Sequence, residues 1–421
     1  ELDALILADS PHARAHVAGL TLVERGRRVA RRLGARRILV VDSAAVAATL
    51  PQWDQARGDA ALLVIRAGDQ VVHSLLVEPL LGGSRDRRLA VGPGGAYAGA
   101  LWARGEAARE VVAEVVAAPG DGDRVLAGRW SDAEAIPHGE LARHPATTPA
   151  ERAAAGRMLM RLLIKPEDGA VTRYLYRPAS RPITRLLLHT PVTPNQLSIF
   201  VAILGALGCF LTSRSGQRDL ILGAVLVVVA GVIDGCDGEL ARLRLISSKL
   251  GAWLDTVVDE LTTTLYFVAI GYHCVLHRPA SWLSPSVAVG LVCYLTSIYV
   301  IYYFLIVVSK TGNSQHYVGR LDIVEDPSAG LGLRPRRQAA AAMPPWLASL
   351  GAVASQMVRR DFINLVALAL TFVNGYLVIY LWMLAGGVVA ALILGSEHLR
   401  LRGQLRDLAR RGATPRLLPA A

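Results

Sequence analysis

Apolar and polar positions are distributed differently in the two parts of this chain. Up to about residue 190, short apolar runs are broken by Arg, Asp and Glu, whereas long apolar stretches occur only after Thr193. In the first part, runs 4–8, 37–41 and 60–65 read as short buried strands, and 20–34 and 105–117 read as helices. Strands alternating with helices predict a soluble α/β unit with a parallel sheet covered on both faces. In the second part, stretches of about 20 apolar residues suffice to cross a bilayer core. Residues 195–213, 218–241, 252–275 and 283–308 meet that length. A further apolar block at 362–397 is too long for one straight crossing and just long enough for two short ones. Arg359 and Arg360 precede it, and Arg400, Arg402, Arg406, Arg410 and Arg411 follow it. If both flanks are cytoplasmic, the block crosses twice, turning at Asn374-Gly375. The pattern therefore predicts an α-helical membrane domain of six transmembrane helices with both termini in the cytoplasm.

Local signals refine this division. Thr193-Pro194-Asn195-Gln196 combines a capping Thr, a Pro at the first helical position and a Gln three residues after the cap, the start of the first membrane helix. Residues 165–190 alternate Arg with Leu, Tyr and Ile and predict an amphipathic arm on the membrane surface. Arg173, Arg177, Arg181 and Arg185 are expected near the headgroups. Residues 309–358, polar with Pro and Gly, predict a cytoplasmic loop. The expected domains are 1–150 (soluble α/β), 151–192 (juxtamembrane arm), 193–400 (membrane domain) and 401–421 (basic cytoplasmic tail).

Composition narrows the function classes. The 421 residues carry a net charge of +11. The basic residues form no stripe with interleaved aromatics, so nucleic acid is not the expected partner. They flank apolar stretches, as a cytoplasmic excess would. Cys209, Cys236, Cys274 and Cys293 form no CxxC pair, so neither a structural disulfide nor a zinc site is expected. No n-region and h-region open the sequence at Glu1, so no signal peptide is expected.

The chemistry concentrates in residues 234–259. With about 100° per residue on a helix, Asp237 lies about 60° from Asp234, Gly238 about 40° and Ala241 about 20°. On the next helix Gly251, Asp255 and Asp259 are spaced four apart and share a face. A short connection makes the two helices antiparallel neighbours, so four carboxylates can line one pocket. Carboxylates in an apolar wall repel each other and cost several kcal/mol each to desolvate. Arg242 is a single cation, and Arg244 and Lys249 sit in the connection. Oxygen ligands of this kind suit Mg²⁺ or Mn²⁺, and such ions favour phosphate-bearing substrates. Gly238, Ala241 and Gly251 remove side-chain bulk where a ligand would approach the backbone. The alternative, four acids merely lying in a cytoplasmic loop, fits poorly with their place inside apolar stretches.

The segment resembles the CDP-alcohol phosphotransferases, whose pattern D-x2-D-G-x2-A-R-x8-G-x3-D-x3-D is matched at every fixed position and spacing by residues 234–259. The resemblance implies a six-helix membrane fold and metal-dependent transfer of a phosphoalcohol group from a CDP-alcohol donor to an alcohol acceptor, releasing CMP. By position, Asp234, Asp237 and Asp255 would hold two Mg²⁺ or Mn²⁺ ions. Asp259 would be the general base and a further metal contact, and Asp234, Asp237, Gly238, Ala241, Arg242 and Gly251 would form the CDP site. Asn195, Lys310, Arg359 and Arg360 are further candidates for acceptor or phosphate binding. The expected place is a prokaryotic cytoplasmic membrane, with membrane lipid as a partner; a homodimer is compatible with the sequence.

The runs Lys165–Gly169, Arg173–Pro178 and Thr193–Asn195 are similar to a subgroup that fuses an inositol-1-phosphate cytidylyltransferase to a di-myo-inositol-phosphate-phosphate synthase. This implies inositol-phosphate substrates; CDP-diacylglycerol as donor, giving a phospholipid, stays open. The first unit is cytidylyltransferase-like at Ala4–Ala8 and Gly19–Val41 but departs from an active enzyme. Its first loop, Asp9 to Ala15, lacks the glycines that let amides approach phosphates. No lysine precedes Lys165, and Asp69 reads as a cap or turn residue before it reads as a metal ligand. The expectation is a domain inactive in nucleotidyl transfer, with a regulatory or docking role as its alternative.

Overall fold

The structure, a computed structural model, describes residues 1–165, 168–326, 330–336, 356–357, 359–413 and 416–418. The chain forms two compact units: Glu1–Pro166 with Arg185–Thr190 and Glu239–Ile246, and Glu167–Thr184 with Pro191–Gly238 and Ser247–Ala421.

The first unit is built on a six-stranded sheet in the spatial order Arg37–Val41, Leu2–Leu7, Ala61–Arg66, Tyr97–Ala103, Arg87–Val91, Glu134–Pro137. The first three strands are parallel, as their spacing predicts. The expectation of a wholly parallel sheet is corrected at Tyr97–Ala103, which runs antiparallel to both neighbours. The reason is connection length. Only residues 92–96 separate Arg87–Val91 from Tyr97–Ala103, and a parallel crossover needs about a dozen residues or more. Gly94 and Gly95 take the left-handed backbone (φ +92° and +80°) that turns this hairpin.

Side chains alternate across the central strands, so both faces are buried. Ala4, Ile6, Leu63 and Ile65 meet Val29 and Ala30 of helix Leu22–Arg32. Leu5, Leu7, Leu62 and Val64 meet Val111 and Val115 of helix Glu106–Ala117. A third cluster joins Val17, Leu22, Met158, Leu159 and Leu188 to Leu240 and Leu243, the end of helix Gln217–Leu243.

After the first strand the chain makes a short 3₁₀ turn, Pro11–Arg14, capped by Ser10. Three of the N–H groups here are already used. His12 N–H donates to Ser10 Oγ at 3.3 Å, Ala13 N–H to Ser10 O at 3.0 Å and Ala15 N–H to His12 O at 2.8 Å, while Pro11 has no N–H. Asp69, after the third strand, pairs with Arg124 at 3.2 Å.

The second unit contains long helices at Pro194–Thr212, Lys249–His277, Leu283–Phe304, Arg360–Thr371 and Tyr376–Arg410, and most of Gln217–Leu243, whose last residues belong to the first unit. The expected capping box at Thr193 and Gln196 is present. Four helical spans among the described residues are long and apolar enough to cross a membrane: Pro194–Thr212, Gln217–Leu243, Leu283–Ser309 and Tyr376–Arg410. Lys249–His277 falls short because Asp255, Asp259, Glu260, Thr262, Thr263, Thr264, His273 and His277 lower its hydropathy. Arg360–Thr371 has 12 residues, which rise only about 18 Å against a hydrocarbon core of about 30 Å. The chain turns between these last two helices at Asn374-Gly375, with Asn374 in the left-handed region (φ 53°) and Gly375 N–H donating to Leu370 O at 2.8 Å.

Two expectations need correction. The arm contains a π-turn at Thr172–Tyr176 and helix Arg177–Leu187. Arg177 does not reach for headgroups: it is 6% exposed, and its Nε and Nη2 donate to Asp168 at 3.0 and 3.2 Å. Arg173 and Arg185 are exposed and Arg181 is half-buried. The expected loop at 309–358 includes an antiparallel hairpin, Leu321–Asp326 with Gly330–Pro335. Leu321 and Leu333 give it an apolar face that packs on Phe304, Leu305, Leu401 and Leu408. Residues 327–329, 337–355 and 358 of that expected loop lie outside the described residues. The expected tail begins as helix, since Tyr376–Arg410 runs unbroken past residue 400; further on, Leu418 N–H donates to Leu333 O at 2.7 Å.

Candidate active site

Two helices joined by a tight connection build the site. Asp234 and Asp237 lie near the end of Gln217–Leu243, and Asp255 and Asp259 lie in the first three turns of Lys249–His277. The connection reverses at Leu245 (φ 53°). Ser248 then caps the second helix, its Oγ accepting from Gly251 N–H at 2.9 Å. This brings carboxylate oxygens of Asp234, Asp237 and Asp255 within 4.8 Å of one another. Asp237 is the most enclosed of the three, 6% exposed, and its Oδ2 accepts from Ser198 Oγ at 2.5 Å.

Asp259 stands apart from the three-carboxylate group. Its Oδ1 accepts from Arg360 Nη1, while Arg360 Nη2 donates to Asp234 at 3.0 Å. One guanidinium at the start of helix Arg360–Thr371 thus ties the two acidic helices together. The carboxyl groups of Asp234, Asp237 and Asp255 still crowd one place. Three hard oxygen donors so close, with glycine backbone beside them, fit a divalent ion such as Mg²⁺ or Mn²⁺.

The other candidates separate. Asn195 faces Gly251: a Cβ on that glycine would come within 3.1 Å of Asn195 Oδ1. Gly238 is half-buried one residue after Asp237, and Ala241 and Arg242 follow on the same helix. Lys310 is exposed, in the left-handed region at φ 53°. Two residues on, Gly312 O accepts from Thr256 Oγ1 at 2.8 Å, next to Asp255. Arg359, unlike Arg360, turns away, its Nε 3.6 Å from Asp361 and against Gly169.

Ser198 and Thr256 escaped the sequence reading. Ser198 had a faint signal, a polar residue three positions after Asn195 and so on nearly the same face of an apolar helix. Thr256 had none, because its partner is 56 residues away.

Comparison with known proteins agrees with this geometry. The family model for CDP-alcohol phosphatidyltransferases matches residues 191–373, which contain all four aspartates. A protein of Thermococcus kodakarensis named bifunctional IPC transferase and DIPP synthase is 36% identical over 126 residues, 30% of this chain and 28% of that protein. A protein of the same name from Archaeoglobus fulgidus is 30% identical over 159 residues, 34% of this chain and 31% of the relative. The phosphatidylinositol phosphate synthase of Corynebacterium glutamicum is 32% identical over 158 residues, 36% of this chain and 68% of that protein. The matches to the bifunctional proteins therefore span under a third of their length. The aspartate constellation and these matches together establish that the chain belongs to the CDP-alcohol phosphatidyltransferase family.

Proposed function

We propose that this protein transfers a phosphoalcohol group from a CDP-alcohol to an acceptor alcohol and releases CMP. The observation that carries the reading is the convergence of Asp234, Asp237 and Asp255 beside the Asp259–Arg360 pair. Asp234, Asp237 and Asp255 would hold Mg²⁺ or Mn²⁺, two ions by the family pattern, and bound metal would neutralise charge on the pyrophosphate of the donor. Gly238, Ala241, Arg242 and Gly251 leave room and charge for the cytidine diphosphate. Ser198 fixes the rotamer of Asp237 by donating to it. Asp259 takes the acceptor's hydroxyl proton. The acceptor oxygen then bonds to the phosphorus that carries the donor alcohol, the bond from that phosphorus to CMP breaks, and CMP leaves. Arg360, held between Asp259 and Asp234, is positioned to bind a phosphate of the acceptor; Asn195 and Lys310 are secondary candidates.

The reading includes six membrane crossings, with the first unit, residues 309–358 and the C-terminus on the cytoplasmic side of a prokaryotic membrane. Inositol phosphate is the acceptor class favoured, with CDP-inositol as donor. The names of the Thermococcus and Archaeoglobus relatives support it, as does the similarity of the arm. CDP-diacylglycerol is the second donor reading, supported by the Corynebacterium synthase, of which the match covers 68%. The first unit is proposed to be inactive in nucleotidyl transfer, because its first loop lacks glycines and the N–H groups of His12, Ala13 and Ala15 are already bonded.

The test is mass spectrometry of products from the purified chain in lipid nanodiscs, given Mg²⁺, inositol phosphate and either CDP-inositol or CDP-diacylglycerol. A di-inositol phosphodiester from the first donor is expected. A phosphatidyl product alone would establish the second reading. No CMP from any CDP-alcohol offered, over a panel of polyol acceptors, would reject the activity.

A further inference from the structure

An α-helix ends in carbonyls that have no partner within the helix, and cations are favoured there by the helix dipole. At the end of Gln217–Leu243 those carbonyls meet arginines from helix Leu22–Arg32, inside the first unit. Arg25 is 1% exposed, and its Nη2 donates to Leu243 O at 3.0 Å and to Val17 O at 3.3 Å. Arg28 Nη1 donates to Arg244 O at 2.7 Å while its Nε donates to Glu24 at 2.7 Å. Arg244 in turn donates to the carbonyls of Leu187 at 3.0 Å and Thr190 at 2.6 Å. Leu240 and Leu243, 0% and 2% exposed, are buried in the same core as Leu22 and Leu159.

A fully buried arginine is a costly way to fill space, since stranding its charge is strongly destabilising. Burial and Arg28 pull the Arg25 guanidinium down to about 10, so it stays a cation at neutral pH and keeps donating. Asp237 lies six residues before Leu243, about 9 Å along the same helix axis. Ångström-scale shifts of catalytic groups are enough to cost large factors in rate.

We infer that the first unit is the seat of the catalytic helix: Arg25 and Arg28 are positioning residues that clamp the last turn of Gln217–Leu243 and so set where Asp234 and Asp237 stand. The inference rests on the proposed metal–nucleotide site and gives the first unit a role that needs no nucleotidyl transfer.

The test uses the full chain in nanodiscs, with Mn²⁺ binding read by electron paramagnetic resonance and hydrogen exchange read over residues 239–250. Arg28→Ala should weaken Mn²⁺ binding about threefold and Arg25→Met with Arg28→Ala about tenfold or more, each with faster exchange in 239–250. Arg31→Ala, an exposed neighbour on the same helix, should change neither. Faster exchange with Mn²⁺ affinity unchanged would overturn the inference by making the clamp purely structural. Unchanged exchange would overturn it by removing the clamp. If Arg25→Met does not fold, the half-exposed Arg28 decides alone. A wild-type chain that binds no Mn²⁺, or an Asp234→Asn variant that binds it fully, would instead reject the metal site, and the inference with it.

Discussion

Asp255 and Asp259 are one helical turn apart yet end in different company. Asp255 joins Asp234 and Asp237, whereas Asp259 meets Arg360. The guanidinium of Arg360 holds the Asp259 carboxylate outside the three-carboxylate group, where it can meet an acceptor hydroxyl without being a metal ligand. Asp259→Asn keeps the shape and one acceptor oxygen but cannot take the proton. We expect kcat to fall on the order of 10²–10⁴, with Mn²⁺ and CDP-alcohol binding largely kept, whereas Asp234→Asn should weaken both. Steady-state kinetics over a Mn²⁺ titration separates the roles. Recovery of Asp259→Asn to near wild-type turnover at high metal would make it a ligand and remove the base. The four aspartates were legible because helical spacing alone places them on two faces. Arg360 was legible only as a flanking cation. Its partners lie 101 and 126 residues away, and no local period encodes that distance.

At the scale of elements, the helices carrying Asn195 and Asp234 approach closely through glycine. A Cβ at Gly223 would meet Gly208 O at 2.6 Å and Thr212 N at 2.6 Å, both backbone atoms that cannot move aside. Small residues at such crossings let backbones touch, which drives helix pairing in lipid. Gly223→Val must push the helices apart, at a cost of about 1–3 kcal/mol if the effect is that of ordinary overpacking. A lower melting temperature in detergent is expected, together with weaker Mn²⁺ binding, because Ser198 and Asp237 sit across the same interface. Unchanged melting and binding would show that the crossing is not tightly packed. Helix starts at this scale were readable from capping residues, as at Thr193. The hairpin after Leu321 was not, because a polar stretch with Pro and Gly looks like any loop until its alternate leucines find an apolar surface.

At the scale of the molecule, the proposed sidedness rests on the distribution of arginine. The proposed six crossings put the hairpin on the cytoplasmic side and the connection after His277 outside. In a chain with Cys209, Cys236, Cys274 and Cys293 replaced, a single cysteine beside Arg278 should react with an impermeant maleimide added to intact cells. One beside Arg334 should react only after lysis. Reaction beside Arg334 in intact cells would reject six crossings. By itself the sequence determined the apolar spans, the turn at Asn374-Gly375, the central parallel strands and the carboxylate cluster, because each follows from a period or a residue's backbone preference within a few positions. Only the tertiary structure decided the one reversed strand of the sheet, Tyr97–Ala103, the burial of Arg177 on Asp168, the Arg360 tie and the arginine clamp on the catalytic helix. Those depend on which distant groups must share a buried hydrogen bond, and a buried donor takes whatever acceptor the folded chain brings to it.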